Sequence, residues 1–420
     1  MKTQLILTIL VFLFTLGACK HTRVEPDNPK DKKTKKTITL GEKSQKLVQA
    51  DNTFGLELFQ EIYSAEKKTD NLMVSPLSVS LALAMTYNGA NNATKKAMEK
   101  TLKLSGLSKA EINQSCKTLI DALKSVDSKV QLDIANAIFY RIGFMVEDSF
   151  ISANENYYNA ETAALDFNST EDALRTINNW VADKTNDKIE KILDNISSEQ
   201  LMFLLNAIYF HGKWATRFNK DDTEELPFYL EDGNSIKVPT MKKSEALPYY
   251  SNDLFRSVKL SYGSGNYNLF IFLPKSGKTT TNIVEQLTDE NWTNWMSNFN
   301  DSVNIDLELP KFKYGYEIKL NDVLSAMGMR VAFSPKADFT GINKGGGLYI
   351  DIVKHKTFIE VDEEGTEAAA VTIVGIFKTS AEADPNLEFK VNRPFFYAIT
   401  EEDTGAVIFM GTVKNPKNKG

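Results

Sequence analysis

Residues Glu363-Glu364-Gly365-Thr366-Glu367-Ala368-Ala369-Ala370-Val371-Thr372 run straight into Ile373-Val374-Gly375-Ile376-Phe377-Lys378-Thr379. Directly before them, Leu348 to Val361 is rich in Ile, Val and aromatic residues and is expected to be a strand. Soon after, Phe389-Lys390-Val391-Asn392-Arg393-Pro394-Phe395 opens another β-like region. The stretch between lacks the turn chemistry of a hairpin. Its first half is small residues, and its second half is a strand sequence in its own right. Taken two by two, Thr366, Ala368, Ala370, Thr372, Val374 and Ile376 share one face, and none of them is charged. The other face carries Glu367, Ala369, Val371, Ile373, Gly375 and Phe377. Such a segment is suited to lie exposed in one state and to be buried as a central strand in another. By composition alone, an Ala-rich helical turn or a flexible linker fits equally well.

The flanks separate these readings. Glu363, Gly365, Thr366, Glu367, Ala368, Ala369 and Ala370 form a pattern that resembles the hinge of the serpin reactive loop. The resemblance extends to both sides and covers nearly all of the chain after about residue 47. It implies an α+β serpin fold of three β-sheets with about nine helices and an exposed reactive-centre loop spanning about 363–388.

Other segments agree with it. Asn71 to Val74 is expected to be a short strand, followed by a helix from Pro76. Ser75 can cap that helix, Pro76 suits its first position and Gly89 its end. Further helices are expected at Asn52–Ala65, Ala93–Leu102, Ser108–Val126, Thr170–Thr185 and Leu320–Met327. Val130 to Tyr140 alternates as a strand, and Leu201 to Phe210 is the continuous apolar run of a central buried strand. Strands are also expected around Phe228, Val238, Phe255–Leu260 and Tyr267–Leu273, within Val303–Lys319, and as a buried pair near Pro394–Ile399 and Ala406–Gly411. On the resemblance, Ser75, Ser78, Asn206 and His355 fall at the shutter of the main sheet, with His355 hydrogen-bonding near Asn206. Trp214 falls at the breach, where the loop first enters. Lys311 pairs with Glu363 at the top of the loop, as an exposed pair of small energetic weight.

Apolar residues make up 42% and charged residues 25% of the 420 residues, which is ordinary globular usage. No Pro/Gly/Ser-rich linker divides the chain after residue 47, so residues 47–416 are expected to be a single domain. A net charge of −6 and the absence of a basic–aromatic patch argue against nucleic acid as partner. Residues 1–18 have the character of a signal peptide, with Lys2 ahead of an apolar run from Leu5 to Phe14. Leu16-Gly17-Ala18-Cys19 resembles a bacterial lipoprotein box, which makes Cys19 the lipidated residue. Residues 19–46 then read as a solvated tether. The expected location is extracytoplasmic, lipid-anchored in the outer membrane through Cys19, on its periplasmic face or at the cell surface. With Cys19 lipidated, Cys116 has no disulfide partner and is expected to be a buried thiol on a helix.

Catalytic motifs are missing. There are three His in the chain, no Gly-x-Ser-x-Gly elbow, no His-Glu-x-x-His and no Cys/His cluster. Ser276-Gly277-Lys278-Thr279 lacks the first Gly of a phosphate loop and is expected to be a surface turn. No enzyme, cofactor or metal is expected.

The resemblance instead implies suicide inhibition of serine proteases by a monomer. The protease attacks the loop and forms an acyl-enzyme. The cut loop then inserts into the main sheet and traps the protease in a covalent complex. Family spacing puts the reactive bond fourteen residues beyond Gly365, at Thr379–Ser380. The stretch on to Pro394 is longer than in the best-known members, which leaves Phe377 and Lys378 as alternates. Phe377, Lys378 and Thr379 suit chymotrypsin- or subtilisin-like, trypsin-like and elastase-like pockets in turn, so broad specificity is expected. Cysteine proteases are compatible with the same loop. A non-inhibitory binding lipoprotein is the alternative, and a charged or Pro-containing hinge would favour it. This hinge has neither.

Overall fold

The computed structural model describes residues 35–66, 71–197, 199–299, 301–366 and 386–418. Among them the chain forms nine α-helices and three hydrogen-bonded sheets of nine, four and two strands. Lys35–Gly420 forms one compact unit.

The first half is mainly helical. Helix α1 (Glu42–Ala65) buries Leu47, Phe54, Leu58, Phe59 and Ile62. It begins inside the stretch expected to be tether, because Ser44, Leu47 and Val48 pack into the core and draw Glu42–Lys46 into the helix. The short strand β1 (Leu72–Val74) leads into helix α2 (Pro76–Tyr87). Ser75 caps that helix by accepting from the Ser78 N–H. Almost every residue of α2 is buried, as its unbroken apolar and small-residue sequence requires. Helices α3 (Asn92–Thr101) and α4 (Lys109–Ser125) follow, and the Ser108/Glu111 capping box starts α4. Cys116 is buried on α4.

Strand β2 (Val130–Arg141) precedes helix α5 (Asp148–Tyr158), strand β3 (Ala160–Leu165), helix α6 (Thr170–Lys184) and strand β4 (Met202–Lys213). The helix α5 and strand β3 had no clear pattern in the sequence. Strands β5 (Glu224–Tyr229), β6 (Ser235–Ser251), β7 (Phe255–Tyr262) and β8 (Tyr267–Pro274) come next. Two short helices, α7 (Thr280–Val284) and α8 (Asp289–Met296), lead to β9 (Ser302–Pro310) and β10 (Phe312–Lys319). The helix expected at Leu320–Met327 is regular only over α9 (Asn321–Leu324). A π turn follows at Ser325–Met329, where Gly328 adopts a φ of +117°.

Strand β11 (Lys354–Val361) is shorter than the expected Leu348–Val361. Gly346 and Gly347 have positive φ, and the Ile350 N–H bonds to the Ala332 carbonyl rather than to a strand, so 348–353 stays irregular. A two-residue strand β12 (Gly365–Thr366) comes next. Then β13 (Leu387–Lys390), β14 (Phe395–Glu401) and β15 (Val407–Val413) complete the chain. Strand β13 takes up the last residues assigned to the loop by the sequence, pairing in parallel with β9.

The nine-stranded assembly runs β1-β15-β14-β8-β7-β6-β9-β13, with β5 paired to β6. Strand β8 is buried along its whole length, as are β14 and β15. The four-stranded sheet is β12-β4-β2-β3, and β10 pairs with β11. Strands β4 and β11 are therefore in different hydrogen-bonded groups, and β12 is the edge of the group that holds β4.

A candidate breach and cleft beside the central strand

The site grows from the turn that links β11 to β12. The Asp362 N–H donates to the Gly365 carbonyl at 2.9 Å, and the Gly365 N–H returns to the Asp362 carbonyl at 3.3 Å. This folds the chain back on itself. Gly365 then lies opposite Lys213, and Thr366 opposite Gly212, antiparallel to β4. Thr366 was expected in an exposed loop. It is buried instead, and its hydroxyl is 3.1 Å from the Tyr262 hydroxyl. Only glycine fits at 365: its φ is +139°, and a Cβ there would lie 2.1 Å from the Gly212 carbonyl oxygen.

Three groups hold the turn. Trp214 donates its backbone N–H to the Glu364 carbonyl at 2.9 Å and its indole N–H to the Asp362 carbonyl at 2.8 Å. Its ring stacks on Tyr262, with centroids 4.4 Å apart. The Phe218 N–H donates to the Glu363 carbonyl. Lys311 Nζ is 2.7 Å from Glu363 Oε2, and the Thr223 hydroxyl donates to Glu363 Oε1 at 2.8 Å. The pair was expected to be exposed, but the Glu363 side chain is only 5% exposed. Burial would raise its carboxyl; Lys311 and Thr223 outweigh that and hold it below its ordinary value. Lys220 Nζ forms a second ion pair with Glu364 Oε1 at 2.7 Å. Among these partners, Asp362, Lys220, Thr223 and Tyr262 were not singled out by the sequence. Each lies in an ordinary polar or strand context, and only the fold brings them to the turn.

Below Thr366 the space between β4 and β11 is open. A small pocket of about 20 Å³ separates Ile208 and Phe210 from Phe358. Farther down, a cavity of about 380 Å³ lies between Leu204 and Asn206 on one side and Val353 and His355 on the other, floored by Ser78 and Ala82 of α2. The four residues assigned to the shutter meet here, but not with the expected bonds. His355 Nε2 accepts the Ser75 N–H at 3.0 Å, and the Ser75 hydroxyl donates to the Ile408 carbonyl at 2.7 Å. Burial pulls the His355 pKa down to about 4, so the imidazole is neutral. Asn206 turns the other way and donates from Nδ2 to Asn136 Oδ1 at 2.8 Å. Asn136 in turn donates to the Tyr158 carbonyl at 2.7 Å. Asn206 Oδ1 is buried and has no hydrogen-bond partner among the described residues.

The remaining site assignments, Glu367, Ala368, Ala369, Ala370, Phe377, Lys378, Thr379, Ser380 and Cys19, lie outside the described residues.

Comparison with known proteins agrees with this arrangement. The family model described as serpin (serine protease inhibitor) matches residues 49–416. An uncharacterized serpin-like protein of Thermococcus kodakarensis is 33% identical, with 99% of each chain covered. The native-state structure of the thermophilic serpin tengpin superposes with a TM-score of 0.79 at 36% identity, covering 90% of this chain and 96% of that one. A thyroxine-binding globulin complex with thyroxine gives a TM-score of 0.80 at 26% identity, covering 89% of this chain and 100% of that one. With its breach turn, its cleft beside the central strand and a family match over most of its length, the chain belongs to the serpin family.

Proposed function

We propose that this protein is a suicide inhibitor of serine proteases that traps its target by inserting its cleaved loop beside β4. One observation carries the reading: Gly365–Thr366 is already paired to β4, and the cleft continues below it between β4 and β11. A strand entering there would satisfy two open strand edges and bury an apolar face, which is the driving force the mechanism needs. The inward residues Ala368, Ala370 and Thr372 are small and uncharged, so no charge would have to be desolvated on entry. The chain would act once per molecule and would have no turnover of its own.

The attacked bond is Thr379–Ser380, with Phe377 and Lys378 as alternates, and the range of side chains there supports broad specificity. Cys19 carries the lipid and holds the inhibitor at the outer membrane, with the domain beginning at about Lys35. Among the described residues no helix is long and apolar enough to cross a membrane, and anchoring through Cys19 needs none.

The test is a denaturing gel of the protein mixed with trypsin and, separately, with elastase. A band at the summed mass that survives boiling is expected with each. Clean cleavage near 377–380 without such a band would overturn the inhibitory reading. It would favour a binding protein on the same fold, the kind of role named by the thyroxine complex of one structural neighbour.

A further inference from the structure

The polar groups on the two walls of the cleft face a strand that has one matching residue. The cleft has two wall registers, both fixed by described pairs. On the β4 side, Thr366 lies opposite Gly212. Six residues further along the loop and six back along β4, Thr372 meets Asn206. On the β11 side, Asp362 bridges Gly365. Seven residues further along and seven back, the same Thr372 meets His355. The two registers are independent, and they converge on one residue.

The faces agree as well. Directly opposed residues in an antiparallel pair project to the same side. The β4 register sets Ala368 beside Phe210, Ala370 beside Ile208, Val374 beside Leu204 and Ile376 beside Met202. Small residues meet large ones in the upper half, and aliphatic residues meet aliphatic ones in the lower half. Thr372 is the single hydroxyl in this run beyond Thr366, and Asn206 is the single amide on that face of β4.

We infer that Thr372 is a positioning residue for the inserted strand, and that its hydroxyl bridges His355 and Asn206. This rests on the insertion reading above and adds its register. The chemistry is complementary. Asn206 Oδ1 is a buried acceptor without a partner, while its amide nitrogen is tied back to Asn136. The Thr372 hydroxyl donates to that oxygen. His355 accepts the Ser75 N–H at Nε2, so the proton of the neutral ring is on Nδ1. The Thr372 oxygen accepts it. A strand slipped by one residue would present Val371 or Ile373, which offer no hydroxyl and face the other side. A strand slipped by two would present Ala370 or Val374 and leave the Asn206 oxygen unsatisfied. The threonine therefore acts as a register key.

The probe is a synthetic peptide of residues 367–376, mixed with the full-length chain in detergent and followed by native gel shift and thermal stabilisation. The expected result is annealing of the natural peptide, with a Thr372→Val peptide annealing about tenfold more weakly and a Thr372→Ser peptide close to natural. In an Asn206→Leu chain, the difference between the Thr and Val peptides should disappear. Equal annealing of the Thr and Val peptides to the unsubstituted chain would overturn the inference and leave the insertion reading intact. So would a Thr/Val difference that persists in the Asn206→Leu chain. Failure of every peptide to anneal would overturn both. The comparison of peptides on the unsubstituted chain stands even where Asn206→Leu does not fold.

Discussion

The indole of Trp214 donates a hydrogen bond to the backbone carbonyl of Asp362 at 2.8 Å, fastening the end of β11 to the end of β4. The same ring stacks on Tyr262, whose hydroxyl meets Thr366. One aromatic side chain thus reads the position of the turn from which the reactive loop departs.

Trp214→Phe keeps most of the apolar contact and removes the donor. The Asp362 carbonyl retains the longer bond from Gly365 at 3.3 Å, so it is not left bare. The expected loss is about 1–2 kcal/mol, from one buried hydrogen bond and a small cavity. Urea denaturation of the substituted and natural chains measures it. An unchanged midpoint and slope would show that the bond contributes nothing.

Gly365→Ala tests the turn directly. Its Cβ would meet backbone atoms at 2.1 Å, 2.7 Å and 2.9 Å, on Gly212, Lys213 and Trp214, and no side-chain motion relieves that. The positive φ adds strain of about 1–2 kcal/mol. The turn should leave β4, and Trp214 should report this as a shift in fluorescence emission. Insertion after cleavage should be delayed, so more inhibitor is consumed as plain substrate for each protease trapped. Titration against a fixed amount of trypsin gives that ratio, and a severalfold rise is expected.

Much of this architecture was legible in the sequence because burial follows periodicity. The run Leu201–Phe210 and the helix capped by Ser75 stand out by pattern alone. The hinge was legible by its small residues. What stayed hidden is what depends on two walls at once. Nothing in the sequence says that Thr223 and Lys220 approach Glu363 and Glu364 from the far side of β4. The resemblance paired His355 with Asn206, but that bond needs β4 and β11 side by side. With the cleft open between them, His355 bonds to Ser75 and Asn206 to Asn136. Strand β11 is shorter than its β-rich sequence suggests because glycines at 346 and 347 and the Ile350–Ala332 bond pull the preceding segment away.

Two buried titrating groups set opposing pH dependences. Burial raises the Asp51 pKa to about 7, against the hydrogen bond from Ser80, while burial pulls His355 down to about 4. Between about pH 4 and 6.5 the folded chain keeps a proton on Asp51 that the unfolded chain releases, so this group's contribution weakens as pH rises. Over the same window the unfolded chain keeps a proton on His355 that the folded chain excludes, so this contribution weakens as pH falls. The gradients cancel in large part. Asp51→Asn should unmask the histidine and lose roughly 2–3 kcal/mol between pH 6.5 and pH 4, measured by chemical denaturation across the window. A variant with the same pH profile as the natural chain would refute the assignment.

Thr366→Arg places a charge at the first buried position of the loop. Thr366 is 5% exposed and packs on Tyr262, with no carboxylate at its hydroxyl to pair with an incoming guanidinium. Burying that charge unpaired costs several kcal/mol, so the turn is expelled and the rest of the loop must enter against the same penalty. Cleavage near 377–380 needs only an accessible loop, so its rate should stay close to natural. Trapping needs insertion to outrun deacylation, so the covalent band should fall at least tenfold, while the cleaved product accumulates. Insertion also stabilises the cleaved chain, and the variant should show little rise in melting temperature after cleavage. Full trapping by Thr366→Arg would mean that entry at this position is not part of the mechanism. Loss of both cleavage and trapping would point to a misfolded chain, which the melting temperature of the uncut variant distinguishes.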